Sequence, residues 1–141
     1  MQNPPPGQQT SIGLAPNIAA ALSYIWIVGL ILFFIEKENK FVRFHAMQSV
    51  LYGVTWTIVM IALGILSAII AIIFGVAASA AGDAGGIISI LVSLISMIIW
   101  LIIPLIYLGG LIWGAIKGYQ NVAFKFPIIG NMAEKFAGGS N

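Results

Sequence analysis

Three long apolar runs, separated by short polar breaks, organise the chain. They extend from about Pro16 to Ile35, Met47 to Ala81 and Ile87 to Ile116. Twenty residues of helix rise about 30 Å, the thickness of one hydrocarbon core. The first run therefore predicts one membrane-spanning helix, with Pro16 suited to its first turn, and the sequence leaves a broken hairpin within the run as the alternative. Tyr24 and Trp26 are expected near the outer interface. Each later run is too long for one perpendicular span and too short for two spans plus a turn. Tilt, or a helix end standing in the headgroups, takes up the excess. The expected fold is an all-α integral membrane protein. It has three transmembrane helices and an interfacial amphipathic lead-in to the second.

Gly82, Asp83, Gly85 and Gly86 mark a loop between the second and third runs. Residues 1–15 read as a mobile polar tail, 16–135 as a single transmembrane helical domain and 136–141 as a flexible tail. The N-terminal residues lack the basic segment of a secretory signal peptide.

Composition narrows the class. The chain is 60% hydrophobic and 7% charged, with a mean hydropathy of +1.05. Soluble domains carry roughly 25% charged residues, so a water-soluble globule is excluded, and so is a disordered polar tail protein. Without cysteine there is no disulfide or thiolate metal site. A net charge of +2 is no nucleic-acid footprint. The expected surroundings are a lipid bilayer, with a homo-oligomer or a membrane-protein partner and no nucleic acid.

The placement of the bases says more than their sum. Lys37, Lys40 and Arg43 follow the first run, and Lys117, Lys125 and Lys135 follow the third. Basic segments stay in the cytoplasm, which requires an even number of spans between the two clusters. The expected topology is N-terminus out and C-terminus cytoplasmic, in the cell membrane of a prokaryote.

The second run opens on a polar seam. At about 100° per residue, Phe41, Phe44, His45, Gln48, Tyr52 and Thr55 share one helix face. Read functionally, His45, Gln48, Tyr52 and Thr55 line a polar path or substrate contact. Read structurally, they make interhelical hydrogen bonds worth about 0.6 kcal/mol each, and this reading carries more weight. His45 is the sole histidine and has no ligand partners at metal-site spacing; it reads as an anchor of the helix end in the headgroup region, the alternative being a pH-sensitive interface group. The charged stretch from Glu36 to Lys40 reads as a solvated, orienting loop, since three mixed-sign bases fall short of a polybasic lipid site.

Small residues recur every fourth position. Ser67, Ala71, Gly75 and Ser79 form one ridge, and Gly110, Gly114 and Gly118 another. Both suit close helix packing, within the chain or between copies. Ser89, Ser93 and Ser96 make too weak a polar row for a pore. Pro104 is expected to kink its helix. The apolar runs hold no Asp, Glu, Lys or Arg. No nucleophile–base set or zinc motif occurs. No catalytic, cofactor-binding or metal-binding residue is therefore assigned, and the expected protein is not an enzyme. It acts by helix packing, the alternative being a small channel or permease subunit that uses the seam.

Two stretches carry a resemblance. One is Glu36-Lys37-Glu38-Asn39-Lys40-Phe41-Val42-Arg43-Phe44-His45-Ala46-Met47-Gln48-Ser49. The other runs from Phe124-Lys125-Phe126-Pro127 through Gly130 to Ala133-Glu134-Lys135. With Asn17-Ile18-Ala19-Ala20, they resemble small prokaryotic membrane proteins grouped with the chloroplast inner-envelope protein-import channel component. The resemblance covers Asn17 to Lys135 and implies a part in a protein-handling or transport assembly. Physically, Phe41 and Phe44 are expected to dip into the interface while Lys40 and Arg43 reach headgroups. Phe124 and Phe126 are expected to do the same beside Lys125. The two cytoplasmic motifs should then touch, within a helix diameter of about 10–12 Å.

Overall fold

The computed structural model describes Pro4 and residues 8–138. Its helices are α1 (Pro16–Leu22), α2 (Trp26–Ile35), α3 (Lys40–Ala80), α4 (Ala84–Tyr119) and α5 (Ile129–Phe136). The protein is thus all-helical, with two long apolar helices and one shorter apolar helix, α2. Pro104 sits inside α4 without ending it.

The chain divides into two compact units, one of residues 56–108 and one of the remainder. In the first, two helical stretches of about 37 Å each are joined by a turn at which Gly82 takes φ +56°. Beside this turn Gly85 lies directly on the Ala78 backbone, where no Cβ would fit. Trp56 and Tyr107 meet edge to face, their ring centres 5.5 Å apart. The outer faces are apolar all round, from Ile58 and Ile61 to Ile98 and Leu101. Surface of that extent is stable in acyl chains and not in water.

The other unit holds α1, α2, the start of α3, the end of α4 and α5. Here the first apolar run departs from the expected single span. It breaks at residues 23–25, where the Ser23 hydroxyl donates to the Ala20 carbonyl at 2.6 Å. The Ser49 hydroxyl donates to the Ser23 carbonyl, also at 2.6 Å. A side chain of α3 thus captures a carbonyl that a continuous helix would have used internally.

The run also ends where it began. The Ser11 N–H and hydroxyl both donate to the Glu36 carboxylate, each at 2.7 Å. A bilayer cannot lie between groups in hydrogen-bond contact. This corrects the expectation that the first run puts the N-terminal residues and the basic loop on opposite sides. Residues 8–14, expected in a mobile tail, are likewise fastened by these bonds and by the Thr10 hydroxyl on the Leu14 carbonyl. Residues 1–3, 5–7 and 139–141, the outer parts of the two expected tails, lie outside the described residues. Of the expected flexible tail, Phe136 ends α5 and Ala137 is buried against Phe44.

Candidate functional site

α3 starts at a doubly built cap. Asn39 is its N-cap, its side-chain oxygen accepting the Val42 N–H at 3.1 Å. The Glu36 carboxylate accepts the N–H groups of Glu38 and Asn39 as well as the two Ser11 donors. Burial pushes this carboxyl up, but the bonds from Asn39, Ser11 and Glu38 outweigh it and hold Glu36 below the usual carboxylate range. Glu36 and Asn39 are therefore fully enclosed, not part of a solvated loop, while Lys37 and Lys40 are exposed. Arg43 lays its guanidinium 5.2 Å from the centre of the Phe33 ring.

The seam on α3 faces inward. Phe41, Phe44, His45, Gln48 and Tyr52 are all buried. Phe41 and Phe44 do not dip into the interface: Phe41 packs with Ala19, Ala20 and Val42, and Phe44 with Ala133 and Ala137. Both rings also stand edge-on to His45. Thr55, seven positions beyond Gln48, is exposed and leaves the group.

At the centre is a chain of hydrogen bonds. His45 Nε2 lies 3.2 Å from the Val122 carbonyl. A carbonyl only accepts, so this nitrogen carries the proton and Nδ1 accepts the Tyr24 hydroxyl at 3.1 Å. The Gln48 side-chain N–H groups donate to the Tyr24 oxygen at 2.8 Å and to the Phe124 carbonyl at 3.0 Å. Its carbonyl accepts the Phe126 N–H at 3.2 Å. Every polar atom of the two α3 side chains is satisfied, as burial requires. Tyr24, expected at the outer interface, is buried as their partner.

The glycine ridge of α4 closes the group from another side. A Cβ at Gly110 would strike Tyr52, and one at Gly114 would strike the Tyr24 ring. At Gly118 it would stand 3.0 Å from the Ala20 carbonyl carbon. This ridge is filled by the chain itself. By contrast Gly75 has no neighbour within 4 Å, Ala71 is exposed and Ser67 is half-buried.

The expected contact between the two motifs is present. Phe126 stacks on Tyr52 at 4.9 Å, so neither it nor Phe124, which stands against Trp113 and Phe126, simply dips into lipid. Pro127 precedes Ile128, whose φ of +66° forms a tight reverse turn. Gly130 is buried, and a Cβ there would lie 2.7 Å from Lys125 Cα and 3.0 Å from the Gln48 carbonyl oxygen. Lys125 pairs with Glu134 at 2.6 Å, holding that carboxyl below its usual range. Lys135 is exposed.

Sequence reasoning missed Ser11 and Ser23, placed Tyr24 at the outer interface, and gave Ser49 no role beyond its place in the first motif. The Ser23-Tyr24 pair in the middle of an apolar run was the available signal. Among the described residues, no group of three or more His, Asp or Glu is placed to hold a metal ion.

Over residues 9–133 the chain matches the family model described as the magnetosome magnetite crystal formation (MamF/MmsF) protein family. It is 35% identical over 135 residues to a UPF0132 membrane protein of Methanocaldococcus jannaschii, covering 92% of this chain and 94% of that one. A UPF0132 membrane protein of Archaeoglobus fulgidus is 34% identical over 128 residues, covering 87% and 96%. A second M. jannaschii UPF0132 membrane protein is 31% identical, covering 89% and 73%. No solved structure matches. These matches do not show the expected likeness to the chloroplast import component.

Proposed function

The chain belongs to the magnetosome magnetite crystal formation (MamF/MmsF) family, and from that premise we propose that it is a non-enzymatic packing protein of the cell membrane. It works by presenting apolar helix surfaces to membrane-protein partners or to copies of itself. The observation that supports this most is the saturation of its buried polar group. Tyr24, His45 and Gln48 spend their hydrogen bonds on one another and on the main chain of residues 122–126. A permeation path needs polar groups free to exchange partners with the permeant, so a channel built on this seam is the weaker reading.

Basic residues at 37, 40, 43, 117, 125 and 135 favour the cytoplasmic side for the unit that contains them. With Ser11 bonded to Glu36, residues 8–14 then lie on that side too. The family's description concerns magnetite crystal formation.

Crosslinking in native membranes, followed by affinity purification, tests the proposal. A discrete homo-oligomer or a stoichiometric membrane-protein partner is expected. Monomer alone in native membranes, or ion flux through reconstituted liposomes that Gln48→Leu abolishes, would overturn it.

A further inference from the structure

The α1–α2 segment forms a hairpin beside the start of α3. Its two ends are clasped at Ser11 and Glu36, and Glu36 is itself bonded to the Asn39 cap. From there Ala19 and Ala20 pack on Phe41 and Val42, and Ser23 meets Ser49. From position 39 to 49 an α-helix rises about 15 Å, so the turn stands that far along α3 from the clasp. α2 then returns over ten residues, again about 15 Å.

The turn is built for surroundings without water. Its N–H groups are used internally: Ser23 donates to Ala19, Tyr24 to Ala21 and Ile25 to Leu22. The Ser23 carbonyl and hydroxyl and the Tyr24 hydroxyl are also bonded. Non-helical backbone is tolerated at membrane depth only when satisfied in this way. What the turn and α2 leave uncovered is apolar: Ile25, Trp26 and Ile27 are 58%, 56% and 61% exposed, and Phe34 is 66% exposed. The polar clasp lies at the two ends and the apolar surface at the turn and along α2.

We propose that this hairpin enters and leaves one leaflet by the same membrane face, lodging its turn among the acyl chains as a wedge that makes the protein favour outward curvature of that face. A hairpin confined to one leaflet adds cross-section there and none opposite, which is the physical basis of curvature preference in shallowly inserted elements. The proposal rests on the protein's residence in a membrane and not on its partners.

Two measurements on the purified full-length chain test it. First, Trp26 is kept as the sole tryptophan by Trp56→Phe, Trp100→Phe and Trp113→Phe. Its fluorescence is expected to be quenched by lipids brominated on the acyl chains and to resist aqueous iodide. In parallel, cysteines at Ile25 or Ile27 should escape an impermeant maleimide that labels Ile12→Cys and Glu38→Cys. Second, the protein is reconstituted into giant vesicles and labelled from outside with an impermeant dye at Asn131→Cys. It should be enriched on tubes pulled from the vesicle, with a tube-to-vesicle ratio above one. Ile27→Ser/Ile31→Ser/Phe34→Ser should bring that ratio to one. Iodide quenching without bromine quenching, or a wild-type ratio of one, would overturn the proposal even if the variants fail to fold. A lone monomer in crosslinking would leave both measurements unaffected.

Discussion

Gln48 accepts the Phe126 N–H at 3.2 Å across 78 positions of chain. The same side chain holds the Phe124 carbonyl and the Tyr24 hydroxyl. Gln48→Leu would leave the Phe124 carbonyl and the Phe126 N–H without this partner, while Tyr24 keeps its bond to His45; a buried polar group left unpaired costs about 1–3 kcal/mol. We expect a clear fall in the thermal midpoint in detergent, with proteolysis inside residues 121–137 preceding global unfolding. An unchanged midpoint would show that the bonds do not hold this segment in place.

The glycines of α4 divide into filled and open positions. Gly114→Ala drives a methyl into the Tyr24 ring, whereas Gly109→Ala meets nothing within 4 Å. Overpacking costs about 1–3 kcal/mol, while alanine in an open helical position gains about 0.5–1 kcal/mol. The two substitutions should shift the melting midpoint in opposite directions. Equal shifts would remove the ridge from the packing account.

Acid should open the clasp at Ser11. Glu36 has a lowered folded-state pKa against an ordinary value of 4.5. Its stabilisation is therefore complete above that value and is lost as pH falls through the folded pKa. Proteolysis within residues 8–14 should accelerate below about pH 4.5 in the wild type. In Glu36→Gln it should be fast already at neutral pH and indifferent to acid over this range.

Sidedness is open to a direct test because the chain has no cysteine. Ile12→Cys, Glu38→Cys and Asn131→Cys should react with an impermeant reagent from one face of the membrane, and Asp83→Cys from the other. Labelling of positions 12 and 38 from opposite faces would restore a continuous first span.

Much of this architecture is written in local spacing. The two long helices follow from uninterrupted apolar runs, and the turn at residues 81–83 follows from its small residues, although Gly85 and Gly86, expected in the loop, lie in the first turn of α4. The inward face of α3 follows from the i, i+3, i+4 spacing of Phe41, Phe44, His45, Gln48 and Tyr52. Thr55 continued that spacing, but burial of the face had ended by that position. The break at Ser23 was hidden because it depends on Ser49, 26 positions away. The enclosure of Glu36 was hidden for the same reason, since Ser11 supplies two of its four donors from 25 positions away. Local periodicity records which face turns inward, whereas a tertiary hydrogen bond that redirects the chain leaves no periodic trace.

Val122 and Phe124 enter the buried group only through their carbonyl oxygens, and Phe126 through its N–H. Every residue has a main-chain carbonyl, and every residue but proline an N–H. The closure therefore constrains its two halves unequally. His45 and Gln48 are pinned by side-chain chemistry, while the stretch they grip is asked chiefly for a backbone path. Within that stretch the exposed Val122 is the position freest to change its side chain, because Phe126 is also held by its ring on Tyr52 and Phe124 by its ring against Trp113.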